Sequence, residues 1–286
     1  MNNKLRISTI IPGHDMNIGQ GFHAKHFGEN AFCGLVDPVV MLDHFHMIAP
    51  TFEPHPHAGI SAVTYMFEDS SSPHVNYDSL GNQGPIHPGD LHWFVAGRGA
   101  VHTEQPEGDH PHVHALQIFV NLPASKKLID PYAVHVDAAD IPEFHASGVR
   151  VRVVTGESQG VHSPAVLPEP FTLLDGFLMA DAVFEHSLPA AWNALLYIVQ
   201  GTLSLHLDAE LPRLELEQAH AVGIGGAATL RLTAADAAHF VILSGPALNE
   251  PLVKHGPFVM NTPEQMNDRL QAYQDGEFGR LELPLS

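Results

Sequence analysis

Residues 54–67 read PHPHAGISAVTYMF, and this stretch sets the expected fold of the first half of the chain. Its second part, residues 62–67, is short and rich in β-branched and aromatic side chains, which favours a strand. Its first part places His55 and His57 two positions apart. Side chains alternate between faces on extended backbone, so both imidazoles project from one face and can meet at one metal ion.

A second pair has the same spacing. His102 and Glu104 flank Thr103, shortly after a sharp turn at residues 97–99. Two such pairs on facing strands would supply three imidazoles and one carboxylate, a set that suits Fe(II), Mn(II), Co(II), Ni(II), Cu(II) or Zn(II). Four protein ligands on a six-coordinate ion leave two positions open, which favours substrate or dioxygen binding over a purely structural ion. The spacing therefore predicts a metal site formed by His55, His57, His102 and Glu104.

Strand signals recur along the whole chain. Residues 116–120 and 149–153 are short β-rich segments, and turn-formers separate such segments throughout. Many short strands in a chain with 24 Gly and 23 Pro indicate an all-β sandwich or barrel. One short C-terminal helix is expected, with Thr262 as its N-cap, Pro263 at its first position and Gly276 just beyond its end.

The two halves of the chain resemble each other faintly. Tyr65 and Tyr197 each lie in an apolar strand that is followed by a polar residue and a turn. The sequence therefore favours two related domains. We place the boundary in the connecting segment, giving an N-terminal metal-binding domain at residues 1–133. Residues 134–286 then form a C-terminal domain without a metal site, plus the helix.

The amino-acid composition excludes some classes of binding partner. The 286 residues contain 13 Lys+Arg against 32 Asp+Glu, a formal net charge of −19. This charge repels phosphate backbones, so no direct nucleic-acid binding is expected. No stretch approaches the roughly 20 apolar residues of a membrane span, so no membrane partner is expected. The N-terminus lacks a secretory signal and the chain has a single cysteine, Cys33, which favours a cytoplasmic location.

The chain contains 22 histidines, so most of them need a role other than metal binding. Residues 109–114, DHPHVH, form a competing cluster, because three imidazoles alternate there. We rank it lower, since Asp109 and Pro111 indicate a loop entering a strand and no carboxylate follows. His114 is assigned a supporting role that orients a metal ligand. Purely structural roles are expected for His74, His87, His145, His162, His206, His220, His239 and His255.

A series of short motifs runs along the chain in a fixed order. The motifs are LDHF (residues 42–45), PHPHAG (54–59), VTY (63–65), DSLGN (78–82), PGD (88–90), AGRG (96–99), HTE (102–104), LQIFVNLP (116–123), LNEP (248–251) and GPFVMNT (256–262). Together they resemble the pirin family of the cupin superfamily. The resemblance covers nearly the whole chain and is strongest in the first half.

The resemblance implies two stacked cupin β-barrels with a metal in the N-terminal one. Pirins coordinate iron through the positions that match His55, His57, His102 and Glu104, so Fe(II) becomes the expected ion, with the other divalent metals still open. Many cupins have a carboxylate shortly after the two histidines, but residues 59–62 read GISA, so the ligand role falls on Glu104. Ala58 departs from the arginine of many pirins, which leaves the charge at the cavity mouth open.

The resemblance also implies an enzyme of the quercetin 2,3-dioxygenase type, which opens the central ring of a flavonol with O2 and releases carbon monoxide. Glu104, the only carboxylate at the expected ion, is assigned as the general base that takes the flavonol hydroxyl proton. Trp93 and Phe94 are candidates for the wall of the substrate pocket.

An alternative from another class is a non-enzymatic, metal- or redox-dependent regulator. Some pirins bind protein partners, and the oxidation state of the iron alters their surface. A net charge of −19 would favour a basic surface on such a partner.

Overall fold

The structure is a computed structural model that describes residues 4–207 and 211–281. From the N-terminus to residue 136 the strands are β1 (Arg6–Ile7), β2 (Ile11–Pro12), β3 (His14–Ile18), β4 (Phe22–Gly28), β5 (Val39–Met47), β6 (His55–His57), β7 (Ile60–Met66), β8 (His74–Asp78), β9 (Gln83–Ile86), β10 (Leu91–Val95), β11 (Ala100–Pro106), β12 (Val113–Asn121) and β13 (Tyr132–Val136).

The later strands are β14 (Glu143–Ala146), β15 (Val149–Thr155), β16 (Glu157–Ser158), β17 (Val161–His162), β18 (Thr172–Leu178), β19 (Val183–Leu188), β20 (Trp192–Gln200), β21 (Thr202–His206), β22 (Leu214–Glu217), β23 (His220–Gly225), β24 (Ala228–Thr233), β25 (Ala238–Pro246), β26 (Val253–His255) and β27 (Phe258–Met260). The helices are α1 (Pro263–Gln274) and three short 3-10 turns, at Glu29–Phe32, Ala124–Lys126 and Ala138–Asp140. The expected all-β class with one C-terminal helix is confirmed.

The chain divides into two compact units, each built from separate segments. The N-terminal unit comprises Asp15–His26, Met41–Ala138 and Leu248–Ser286. The C-terminal unit comprises Met1–His14, Phe27–Val40 and Ala139–Ala247. The longest segment of the N-terminal unit ends at Ala138, five residues after the boundary proposed at residue 133. A single cut in the chain does not describe the division, because segments at both ends pack with the other half.

The N-terminal unit consists of two sheets that enclose a partly hollow interior. One sheet has the strand order β13-β10-β7-β12-β5-β4-β3, and the other has the order β6-β11-β8-β9. Strand β7 is buried along its whole length, because it lies between β10 and β12 and both of its faces are covered. Short strand β6 pairs only with β11 in the second sheet, which brings His55 opposite His102.

The C-terminal unit repeats this plan with a filled interior. Its larger sheet runs β1-β23-β20-β25-β18-β15-β14, and its smaller sheet runs β19-β24-β21-β22. Tyr197 lies between β23 and β25 as Tyr65 lies between β10 and β12, which supports the proposed repeat. Strands β19 and β24 correspond to β6 and β11, and they contribute apolar residues to the core, among them Phe184, Leu230 and Leu232.

Helix α1 begins and ends as its sequence indicates. The backbone N–H of Gln265 donates to the Thr262 side chain at 3.2 Å, Pro263 is the first helical residue, and Gly276 has a φ of +81°. The helix packs in a cluster that contains Met266, Phe258 and the fully buried Ala58. In the structure the apolar face of this helix therefore covers the N-terminal unit, although the helix follows the C-terminal half in sequence.

Gly59 directly follows the histidine pair, and its replacement by alanine is expected to destabilise the N-terminal unit. It has a φ of +76°, and an added Cβ would lie 2.0 Å from the carbonyl oxygen of Val259. Gly81 is the matched control, because its φ is +88° and an added Cβ meets no atom within 4 Å. Gly81→Ala should cost about 1–2 kcal/mol of unfolding free energy from backbone strain alone. Gly59→Ala should cost more in urea unfolding, and equal losses would contradict the steric argument.

Candidate metal centre

Three histidines from β6 and β11 converge at one point of the N-terminal unit. The ring centroids of His55, His57 and His102 lie 4.8–4.9 Å from one another. Each residue offers a ligand atom, and these atoms all lie within 4.8 Å of one another. The antiparallel register sets this arrangement, since His55 pairs with His102 and His57 pairs with Ala100. The structure thus brings together the three histidines that spacing alone proposed.

The donor set suits a transition-metal ion. His57 Nε2 and His102 Nε2 face each other at 3.0 Å, where a bridging proton or an ion between them relieves the repulsion of two lone pairs. His55 Nδ1 donates to the carbonyl oxygen of Glu53 at 2.9 Å, so its Nε2 carries the lone pair. Burial lowers the pKa of His102 to about 3 and lowers the pKa of His57 well below its ordinary value. Neutral imidazoles are the form that binds a metal.

Glu104 borders the same cavity but stands slightly apart from the three imidazoles. Its carboxylate accepts a hydrogen bond from the Thr64 hydroxyl at 2.6 Å, and His74 Nε2 lies 3.5 Å from the same oxygen. Its other oxygen is 3.9 Å from His102 Nδ1. Burial alone would raise the pKa of Glu104, but the hydrogen bond from His74 and the surrounding imidazoles lower it below its ordinary value. The carboxylate is therefore ionised at neutral pH.

Sequence reasoning missed the role of His74, which it treated as structural. Its strand β8 pairs with β11, and the register places Asn76 opposite Glu104. His74, Asn76 and Asp78 alternate along β8 and all three are buried. Three buried polar residues at alternate positions on one strand mark a polar interior face, and this pattern was readable in the sequence.

The histidines open onto a cavity of about 130 Å³. Most of the remaining wall is apolar and comes from β4, β5, the segment before β6, and β12. These residues are Phe22, Met41, Phe45, Met47, Phe52 and Phe119. Gln117 and Asp43 add polar groups to the lining. The cavity therefore combines a metal-binding side with a broad aromatic side.

Neither Trp93 nor Phe94 lines this cavity, contrary to the sequence-based assignment. The two residues are neighbours on β10, so their side chains point to opposite faces. Phe94 stacks on His102, with ring centroids 4.9 Å apart and an interplanar angle of 9°. It supports a histidine from behind instead of meeting a substrate, and Trp93 is almost fully buried elsewhere.

His114 also lies away from the three histidines. Its Nδ1 donates to an Asp69 carboxylate oxygen at 2.7 Å, and its Nε2 lies 2.6 Å from His44 Nε2. The structure therefore does not bring it to the ligands that it was assigned to orient. Thr64 and His74 contact Glu104 in its place.

Acid is expected to destabilise the metal-free protein. The pKa of His102 is lowered from 6.5 to about 3 in the folded state, so the folded protein binds fewer protons than the unfolded chain. This contribution to stability is complete above pH 6.5 and is lost as the pH falls toward 3. Urea unfolding from neutral to mildly acidic pH measures the loss. His102→Gln should lose less stability over this interval, and an identical pH dependence in both proteins would contradict the prediction.

Fold and site together define a protein with two cupin domains and a histidine cluster in the first of them. The family model described as Pirin matches residues 15–120, and the Pirin C-terminal cupin domain matches residues 173–279. The chain belongs to the pirin family.

The relatives agree along nearly the full length. The Pirin of Rattus norvegicus is 33% identical over 280 residues, covering 98% of this chain and 95% of that protein. A putative pirin-like protein of Arabidopsis thaliana is 35% identical, covering 86% of this chain and 89% of its own. A crystal structure of quercetin 2,3-dioxygenase from Acinetobacter baumannii superposes with a TM-score of 0.84 at 25% identity, covering 96% of this chain and 98% of that one.

Within the described residues, the structure contains no helix with the length and apolar character needed to cross a membrane.

Proposed function

We propose that this protein is a metal-dependent dioxygenase that cleaves flavonols at an Fe(II) centre in its N-terminal unit. The observation that carries the proposal is the cavity, whose lining combines three convergent imidazoles and one ionised carboxylate with several aromatic side chains. A flat polyphenol with adjacent oxygen donors offers both metal-binding atoms and an aromatic face. The structural likeness to a protein named quercetin 2,3-dioxygenase supports the same substrate class.

His55, His57 and His102 would hold the ion, with Glu104 as the fourth protein ligand. When bound, the ion supplies Lewis acidity that lowers the pKa of a flavonol hydroxyl and gives access to dioxygen chemistry. Iron is proposed because the donor set of imidazoles and one carboxylate suits it and the resemblance implies it. Manganese, cobalt, nickel, copper and zinc suit overlapping donor sets.

Glu104 is proposed to take the hydroxyl proton of the substrate. One of its oxygens accepts a hydrogen bond from the Thr64 hydroxyl at 2.6 Å, which limits the movement of the carboxylate. The other oxygen is left to face the histidines, 3.9 Å from His102 Nδ1. A buried, ionised carboxylate in a fixed orientation is suited to accept a proton from a group bound beside it.

The apolar wall is proposed to position the rings of the substrate and to exclude water. Phe119 packs edge-on against His57, with ring centroids 5.1 Å apart, and therefore reaches the histidine cluster directly. Phe22 and Phe52 contact each other at 5.0 Å and extend the same wall. Aromatic side chains favour offset or edge-on contact with another aromatic ring, which would hold a flat substrate against the metal side.

Aerobic incubation of iron-loaded protein with quercetin tests this function. Loss of flavonol absorbance together with release of carbon monoxide, both abolished by removal of the metal, is the expected result. If metal-replete protein consumes no flavonol, the proposal is contradicted. Retention of a protein partner by only the ferrous or only the ferric form, without turnover, would favour the regulator instead.

Thr64→Val is expected to lower turnover while leaving metal content unchanged. The variant removes the hydroxyl that holds Glu104 but keeps the size of the side chain. Loss of a group that orients a metal ligand typically costs about 10–100-fold in activity or metal affinity. Thr64→Ser retains the hydroxyl and should retain most of the activity. Equal activity in both variants would show that this hydrogen bond does not matter for turnover.

A further inference from the structure

Strand β5 carries two histidines on the face opposite the cavity. Met41, Asp43, Phe45 and Met47 alternate along the strand and line the cavity wall. His44 and His46 lie between them in sequence, so their side chains point to the other face of the sheet. Both are half-buried and therefore reachable from solvent.

Strand β12, the neighbour of β5 in the sheet, repeats this arrangement. Val113 and Ala115 pack inside with Phe45 and Met47. His114 lies between them on the other face, and His112 precedes the strand at the same spacing. Two histidine pairs thus meet across adjacent strands on the outer face of this sheet.

The imidazoles of this outer cluster are in contact. His44 Nε2 and His114 Nε2 are 2.6 Å apart, and the rings of His46 and His114 stack with centroids 4.2 Å apart. His112 Nε2 lies 3.1 Å from His46 Nδ1. A ligand atom from each of His44, His46 and His114 lies within 4.8 Å of the others. This is the same convergence as in the cavity site, formed by different residues.

Asp69 completes the arrangement. Its carboxylate accepts a hydrogen bond from His114 Nδ1 at 2.7 Å, which places the proton on Nδ1 and the lone pair on Nε2, toward His44. The Ser70 hydroxyl, next to Asp69, donates to the carbonyl oxygen of His114 and accepts from its N–H, both at 2.8 Å. A carboxylate that orients a histidine through its second nitrogen is the usual support of a metal-binding imidazole.

We propose that His44, His46 and His114 form a second metal site, which binds a divalent ion of the zinc, nickel or copper class on the outer face of the sheet. Three imidazoles without a thiolate suit these ions, and Asp69 acts as the positioning residue. Burial and the neighbouring histidines lower the pKa of His46 to about 4, so this ring is neutral at physiological pH. Bound metal would join β5, β12 and the turn at Asp69 behind the cavity wall.

Zinc titration by calorimetry of a variant without the cavity site tests this proposal. His57→Gln/His102→Gln removes two of the three cavity ligands and should still bind one Zn(II) per chain. Adding His44→Gln/His114→Gln should abolish that binding. In the wild-type background, His44→Gln/His114→Gln should retain only the cavity ion. A cavity-site variant that binds no zinc, or that binds it equally well without His44 and His114, would overturn the proposal.

Asp69→Asn gives a test that does not alter a buried residue, since the Asp69 side chain is 69% exposed. In the cavity-site background it should weaken zinc binding about 10–100-fold, because a neutral amide oxygen replaces the charged carboxylate that accepts from His114 Nδ1 and orients the ring. Asp109→Asn is the control, because it removes another exposed carboxylate near the same strand and should leave the affinity unchanged. Equal affinity in both variants would contradict the assigned geometry.

Discussion

Replacement of His57 by alanine is expected to remove the bound metal and flavonol turnover together. His57 is almost fully buried, faces His102 Nε2 at 3.0 Å and shares one cluster with His55. With one imidazole missing, His55, His102 and Glu104 would hold an ion more weakly, because one of the four protein ligands is lost. Metal content should fall from one iron per cavity site to near zero after dialysis, and turnover should fall to background.

The matched control is His162→Ala. This histidine is also on a strand, but its side chain is 66% exposed and lies in the C-terminal unit. Metal content of the cavity site and turnover should be unchanged in it. Circular dichroism and thermal unfolding establish whether each variant is folded. Full iron content and turnover in folded His57→Ala protein would contradict the assignment of the metal centre.

Glu104→Gln is expected to retain part of the metal while losing turnover. Glutamine keeps the size of the side chain and can still accept the Thr64 hydroxyl, but it has no ionised oxygen to take a proton. Loss of a general base typically costs about 10²–10⁴-fold in rate. Stopped-flow measurement of flavonol loss at equal metal content compares the two proteins directly. Undiminished turnover in Glu104→Gln would rule out the assigned role as base.

Glu107→Gln is the control for this prediction. Glu107 is exposed just beyond β11, so its substitution removes one negative charge near the strand without touching the cavity. It should leave both metal content and turnover unchanged. A parallel loss in both variants would point to a general effect of charge instead of proton transfer at Glu104.

The three histidines were predictable because their geometry is local. Two residues at alternate positions on a strand share a face, so His55 and His57 had to lie side by side, and His102 needed only the pairing of β6 with β11 to join them. The all-β class followed from the recurring strand and turn signals, and the family resemblance over nearly the whole chain specified two cupin domains. Among these conclusions only the pairing of β6 with β11 is a contact between distant parts of the sequence.

The surroundings of the site were not predictable in the same way. The cavity wall comes largely from β4, β5 and β12, which belong to a different sheet from the histidine pair on β6. Trp93 and Phe94 were chosen because they come just beyond the PGD motif at residues 88–90, although neighbours on a strand cannot share a face. The supporting role predicted for His114 is not seen for the same reason. Side chains alternate along β12, so His114 points away from the cavity that Phe119 lines.

The division of the chain into these two units could not be predicted from the sequence. Residues 27–40 and the C-terminal helix each pack with the half of the protein that is distant in sequence. The three-dimensional packing is needed to see these contacts, because the apolar residues of α1 do not indicate which sheet the helix covers. The polar alternation of β8 is different, since it was visible and would have identified His74 as a residue facing the interior.

Anaerobic titration of the iron-loaded protein with quercetin, followed by admission of O2, tests whether the cavity is a flavonol-cleaving iron centre. We predict that one equivalent of flavonol binds per iron with the absorbance shift of a deprotonated flavonol. Admission of O2 should then consume that flavonol and release carbon monoxide in equal amount. Iron-replete protein that shows no absorbance shift under anaerobic conditions, and no loss of flavonol after O2 is admitted, would contradict it.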